Sequence, residues 1–440
     1  MKTIFNTVGN IIGLVVVVGI GIILILTLKQ ANPQNEQVPT FQSPIEQAVP
    51  APTDTPTLTQ FSSPVKPTAP YTPPLCTFSA KVSAEQPVSD SSLDKYVFSE
   101  PKPVLDYTAG LEIIRWLPGD QRLLLARIGD GRRIEVFNIE SGKVKEYANG
   151  GNALGLDEVV WLEKEQTVAF SAITEANEYA LYLARGNGKT EQVSTDLGSL
   201  NLAVDPDGQA VTFVSKSERA RPKFLDAATK QTENVMSKGY DLPESRGPNH
   251  PYKNYRIAWN PNNKKQFVYY SNQVFYLVDA KAGNVCQIDL GNYDGYTLQI
   301  ALGQWSYARW SPDGRYVAIF ATVGEPGASV IKLIMIDTFT GEQKNLEIEG
   351  SGSKYTMAWG PNSRDVLVIA QNPTEDNRHN LYLVDTATGK SKQILENYTF
   401  LFTAYSGVAW SSNGKAIAID CPLKEGTEQK QLCLVNVETK

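Results

Sequence analysis

The chain holds two histidines, His250 and His379, so any histidine-based catalysis must run through one of them. A Ser-His-Asp set needs such a base beside an activated serine. No Gly-x-Ser-x-Gly elbow occurs to present that serine. His250 sits in Gly247-Pro248-Asn249-His250-Pro251, which has the composition of a turn. Gly188-Lys189-Thr190 has the tail of a phosphate loop, but Leu183 stands five positions before Gly188 where a glycine is required. That triplet reads as a turn between strands. Asn372, Glu375, Asp376, Asn377 and His379 gather the hard donors that suit Ca²⁺. Their composition equally suits a solvated polar loop, and no metal is assigned to them. No catalytic residue and no cofactor emerge from this survey, which points to a non-enzyme.

Three regions differ in composition. Thr3 to Leu28 carries no charge, and Ile11 to Leu28 is almost wholly Ile, Leu, Val and Gly. A bilayer core takes about 20 apolar residues of helix. A cleaved signal peptide has a shorter apolar run and a small-residue cleavage site. Lys29 occupies the −3 slot of the nearest such site, ending at Ala31. Residues 1–29 are therefore expected to form a retained single-pass anchor. Lys2 and the amino terminus place the short end in the cytoplasm and the rest outside. Gly9 and Gly13 form one small-xxx-small pair, which would allow a homodimer through the helix.

Residues 30–75 contain eleven of the 26 prolines and almost no large apolar side chains, so they form a stalk rather than a core. At roughly 3.1 Å per residue its reach is on the order of 140 Å. The net charge of −6 and the lack of basic runs give no reason to bind nucleic acid.

Residues 76–440 repeat. Trp310-Ser311-Pro312-Asp313-Gly314, Trp359-Gly360-Pro361-Asn362 and Trp410-Ser411-Ser412-Asn413-Gly414 each precede an apolar run such as Tyr316-Val317-Ala318-Ile319. Weaker copies begin at Trp116, Trp161, Val204 and Trp259, which makes seven copies spaced 43 to 55 residues apart. Each copy has a second half, as in Ile336-Asp337-Thr338-Phe339-Thr340-Gly341 and Leu383-Val384-Asp385-Thr386-Ala387-Thr388-Gly389. Tight Pro-Asp-Gly and Asp-Thr-x-Thr-Gly turns between short strands specify four antiparallel strands per copy, which is one β-propeller blade. The expected fold is all-β: a seven-bladed propeller, with six or eight blades as alternatives. The seventh copy reaches Leu434-Val435-Asn436-Val437, its third strand. Lys95-Tyr96-Val97-Phe98-Ser99 is expected to supply the fourth and close the ring.

These motifs resemble the TolB-type (WD-like) propeller repeat over about residues 95–440. That resemblance implies the fold and a protein- or peptide-binding platform. TolB carries an N-terminal α/β domain where this chain has an apolar segment and a Pro-rich stretch.

Cys421 and Cys433 flank the hairpin of the seventh copy and are expected to pair in an oxidising compartment. Cys76 and Cys286 remain as a second possible pair. The long connections on one face are rich in aromatics, namely Tyr240, Tyr252, Tyr255, Tyr293, Tyr296, Trp305, Tyr307, Tyr398, Phe400, Phe402 and Tyr405. Amphipathic rings of this kind suit a binding surface. The leading expectation is a non-catalytic binding or assembly module for a protein, peptide or envelope glycan, held outside the cytoplasm. The alternatives are a hydrolase or lyase with its site at the channel mouth, and a sensor acting through partner helices.

Overall fold

A computed structural model describes residues 74–78, 92–107, 111–127, 132–217, 221–236, 256–271, 274–290, 308–323, 330–348, 356–371, 379–398, 407–421 and 430–440. The strands among them form seven antiparallel sheets. Blades 1 to 6 are four-stranded meanders over residues 111–149, 159–194, 203–234, 256–287, 309–347 and 356–398. Blade 7 takes three strands from 408–439 and its outer strand from 96–107. Every tryptophan or valine that marks a repeat ends the innermost strand of its blade, from Leu111–Trp116 to Val408–Trp410, except Trp161, which is next to last in Val159–Leu162. No helix among the described residues is long and apolar enough to cross a membrane, and residues 1–73 lie outside them.

The unbroken apolar runs have a plain cause. Leu123 and Leu125 of the strand Arg122–Arg127 pack toward blade 7, while Leu124 and Ala126 pack toward blade 2. Val366 and Val368 likewise face blade 5, and Leu367 and Ile369 face blade 7. A strand buried on both faces must be apolar at every position. The core is accordingly divided into seven slabs, one between each pair of neighbouring blades, including 7 and 1.

Turn chemistry follows the repeat. Asp337 Oδ1 accepts from the backbone N–H of Phe339 and Thr340, and Gly341 takes φ 75° to complete the turn. Asp385, Asp226 and Asp279 cap their turns in the same way. The first turns of neighbouring blades latch one to the next. Asn262 donates to the Pro312 carbonyl, Asp313 N–H donates to Ser363 Oγ, and Lys164 N–H donates to the Gly208 carbonyl. Asp120 in blade 1 accepts from Ser412 and Asn413 in blade 7, 292 residues away, at 2.8 to 3.0 Å.

Closure rests on the segment before blade 1. Tyr96–Phe98 pairs with Val437 to Thr439, and Lys102–Tyr107 pairs with Lys430 to Leu434. The outer strand is thus longer than the five residues read from the sequence. Just before it, Ser92 Oγ and Tyr96 Oη donate to the Asp365 carboxylate. Ser92 N–H donates to Asp385 Oδ2 at 3.0 Å. Arg364 holds Asp385 in a two-point ion pair at 2.7 and 2.8 Å. Cys421–Cys433 and Cys76–Cys286 are disulfides, and Pro74 and Cys76 bond to the backbone of Gln287 on the outer strand of blade 4. By chain entropy the short loop contributes about 3 kcal/mol and the 210-residue loop about 5 kcal/mol.

Asp385 is fully buried. Burial alone would raise its pKa, but the bonds from Arg364, Ser92 and Thr388 outweigh it and hold the carboxyl well below its ordinary 3.8. A depressed carboxyl stabilises the fold above its unfolded-state value and ceases to do so as pH falls toward the folded-state value. Asp385→Ala should cost roughly 3 kcal/mol at neutral pH, because it strands Arg364 and the Ser92 N–H. In thermal melts its deficit against the parent should shrink below about pH 4. A deficit independent of pH would show that the ion pair does not hold the closure.

Candidate functional site

The innermost strands of adjacent blades stand side by side around the axis. All of them begin at the face on which the connections from a fourth strand to the next blade open. Small residues line much of this inner surface, with Ala258, Ala358 and Ala409 each half-buried directly before their tryptophans. Charged residues interrupt this lining at the strand starts. Glu112 is the second residue of its strand in blade 1. Asp157 and Glu158 directly precede the strand of blade 2, and Arg256 and Arg309 open those of blades 4 and 5.

Arg256 Nη1 lies 3.2 Å from Glu158 Oε2, which also accepts from Leu202 N–H at 3.3 Å. Ser171 fixes the backbone below, taking the Glu158 N–H on its hydroxyl and donating that hydroxyl to the Leu200 carbonyl. A cavity of about 200 Å³ opens here, lined by Glu158, Asn201, Arg256, Tyr270 and Arg309 among others. No ion pair holds the Arg309 guanidinium among the described residues, and Arg309 is exposed to the cavity. Glu112 Oε2 is buried and has no hydrogen-bond partner.

Protonation follows from this crowding. Burial, then the Glu158 and Asp157 charges, push the Glu112 carboxyl well above its ordinary 4.5, against the pull of Arg309. Burial raises Asp157 to about 6, offset in part by Arg256. Burial raises Glu158 too, opposed chiefly by Arg256 and the Leu202 N–H. Burial lowers Arg309, while Glu158 and Glu112 draw it back up. The site therefore offers a carboxyl that burial biases toward its protonated, donating form, guanidinium cations, and a second carboxyl raised to about 6. Such a set recognises polar or anionic groups, and it can also exchange protons.

Most residues expected from the sequence to bind a ligand lie outside the described residues: Tyr240, Tyr252, Tyr255, Tyr293, Tyr296, Trp305, Tyr307, Phe400, Phe402 and Tyr405. Tyr398 ends the strand Lys390–Tyr398 with its backbone opposite His379. His379 is buried at 2% exposure, on the strand His379–Asp385. His250 and residues 372–377 are outside the described residues. Among the described residues no group of three or more His, Cys, Asp or Glu is placed to hold a metal. Gly188 takes φ 78° and closes a turn onto the Arg185 carbonyl, so Gly188-Lys189-Thr190 is a strand connection. Sequence reading missed Glu112, Asp157, Glu158, Arg256 and Arg309. Alignment of the copies on the tryptophan would have shown charges clustering one to four residues before it.

Glu112 supplies a direct test. A raised carboxyl favours the fold fully below its unfolded-state value and does so less as pH rises through the folded-state value. Glu112→Gln should therefore raise the melting temperature by an amount that grows as pH climbs above the ordinary value of 4.5. A pH-independent difference would mean that Glu112 does not titrate in a buried setting.

No family model matches the sequence, and no curated protein matches it. Solved structures do. An oligogalacturonate lyase from Vibrio parahaemolyticus is similar at TM-score 0.55 and 11% identity, over 78% of this chain and 97% of that one. The GH74 enzyme of Niastella koreensis is similar at TM-score 0.53 and 10% identity, over 72% of this chain and 52% of that one. TolB from Acinetobacter baumannii aligns at TM-score 0.39 and 14% identity, over 81% and 86% of the two chains. At such identities the likeness is one of fold.

Proposed function

We propose that the chain is a membrane-tethered, extracytoplasmic propeller that binds a protein, peptide or envelope glycan at the mouth of its central channel. The observation that carries this reading is the meeting of Glu112, Glu158, Arg256 and Arg309 from four different blades beside a cavity. A buried carboxyl oxygen without a hydrogen-bond partner and a guanidinium without an ion pair among the described residues do not serve packing, since apolar residues would fill the same space at lower cost. The tether rests on the apolar run from Ile11 to Leu28 and the Pro-rich stretch that follows. Two disulfides that engage all four cysteines support an oxidising compartment.

A second reading is a lyase or hydrolase. Two carboxyls raised by burial, Glu112 and Asp157, favour it, since a raised carboxyl can deliver or take up a proton. Fold neighbours named as an oligogalacturonate lyase and a GH74 enzyme are in keeping with this reading.

The full-length protein in detergent should retain a ligand from a panel of envelope proteins, peptidoglycan fragments and acidic oligosaccharides. Arg309→Ala should weaken that binding about tenfold or more. Equal retention by both forms would remove the channel mouth as the site. Turnover of an acidic oligosaccharide, seen as ultraviolet absorbance of the double bond that elimination creates and lost in Glu112→Gln, would establish the second reading instead.

A further inference from the structure

The cavity at the channel mouth is not uniformly polar. One wall belongs to the core between blades 4 and 5. Val268 and Tyr270 are members of that core, Ala258 and Ala308 pack on it, and all four also border the cavity. The two alanines leave space that larger side chains would fill. A cavity of about 150 Å³ in an apolar core takes a benzene ring. One of about 200 Å³ therefore takes a side chain of valine or leucine size together with a polar head.

Two polar groups in the same lining have bonding capacity to spare. Glu158 Oε2 is engaged by Arg256 at 3.2 Å and by the Leu202 N–H at 3.3 Å, whereas Glu158 Oε1 accepts from no group among the described residues. The Arg309 carbonyl is taken by the Trp359 indole at 3.2 Å, which fixes the backbone there, while its guanidinium donates to none of the described residues. Such a guanidinium matches a carboxylate in two-point geometry. A phosphate group would bring close to two charges beside Glu112, Asp157 and Glu158, which already outnumber Arg256 and Arg309. A carboxylate brings one. A sugar ring would set hydroxyls against Val268, Ala258 and Ala308, whose side chains offer them no partner.

We propose that this cavity receives an α-carboxylate with a neighbouring N–H and a small aliphatic side chain. That chemistry is shared by a free aliphatic amino acid and by the last residue of a polypeptide. The carboxylate pairs with Arg309, the N–H donates to Glu158 Oε1, and the side chain lies against Val268 and Ala258. Arg256 and the Leu202 N–H meanwhile keep Glu158 in position. The assignment rests on the channel mouth being the binding site, and it narrows what that mouth takes.

The test is calorimetric titration of the full-length chain with N-acetyl-L-valine, L-valine, isovalerate and N-acetyl-L-valinamide. Saturable binding of one of the first two is expected, the tighter marking a polypeptide end or a free amino acid as the source. Isovalerate lacks the N–H and should bind about fivefold more weakly than that ligand. The amide lacks the carboxylate and should bind at least about tenfold more weakly. Arg309→Ala should weaken the tighter acid about tenfold or more and leave the amide unchanged. Ala258→Leu narrows the apolar wall while keeping the carbonyl that Trp310 uses, and should weaken the acid about tenfold with Arg309 intact. Arg309→Ala alone decides the matter if Ala258→Leu does not fold. No saturable binding of either acid, isovalerate or the amide as tight as the acid, or an acid affinity unchanged in Arg309→Ala would overturn the assignment. An envelope ligand retained through Arg309 while neither acid binds would overturn it too, yet leave the channel mouth a binding site. Acids bound through Arg309 with no envelope ligand retained would uphold it and remove the macromolecular reading.

Discussion

Ring closure is the constraint on which the rest of the molecule depends. The middle strands of each blade are apolar on both faces, so a blade is stable only between two neighbours. A ring left open between blades 7 and 1 would expose Leu111, Leu123, Phe137 and Leu432 to water, along with the edge of Lys430–Thr439. The segment 96–107 covers that edge and brings the two ends of the repeat array together. Its anchoring is polar as well as apolar: Leu93, Tyr96 and Phe98 pack on the core between blades 6 and 7, and Tyr107 on that between blades 7 and 1. Asp365 and Asp385 collect Ser92, Tyr96 and Arg364 into one buried network, and such networks fix geometry because each member leaves another unsatisfied when it moves.

Closure also explains why chemistry appears at the axis. Glu112 and Arg309 are separated by nearly half the chain, yet each influences the protonation of the other once the innermost strands converge. Within a single blade neither would feel the other. The alanines before three of the six marker tryptophans keep the lining open, and the strand starts bring charge into the space thus left. A carboxyl raised by burial, as Glu112 is, weakens the fold as pH rises through its folded-state value. Retaining it at a place that alanine or valine could fill indicates selection for something other than stability.

Much of this was legible beforehand, and the reasons differ by element. The marker residues from Trp116 to Trp410 located every innermost strand, because each precedes a turn whose chemistry is local. The Asp-Thr-x-Thr-Gly turns were equally plain, since the capping aspartate and the positive-φ glycine lie within a few residues of one another. Lys102–Tyr107 was missed as part of the closing strand because its partner lies more than 320 residues away and its own pattern is mixed. The axial cluster was missed for a similar reason. Its members occupy four copies, and no single copy looks unusual. Aromatic connections drew attention in the sequence through composition alone, which records the presence of rings without fixing where they point.

The attachment of residues 74–78 completes this picture. Cys76 is bound to Cys286, and Pro74 and Gln287 exchange a backbone hydrogen bond, so the chain joins the ring first at the outer strand of blade 4. Only afterwards does it supply the closing strand of blade 7. Any pull arriving through residues before Cys76 therefore meets a covalent bond into a finished four-stranded sheet before it can reach Tyr96–Phe98. Hydrogen-bonded edge strands peel one bond at a time, whereas a disulfide does not yield to such loads. A chain that entered directly at the closing strand would load the seam between blades 7 and 1 first. Joining blade 4 first takes that seam out of the path of any load borne by residues 74–76, so the ring can stay closed and the axial cluster assembled.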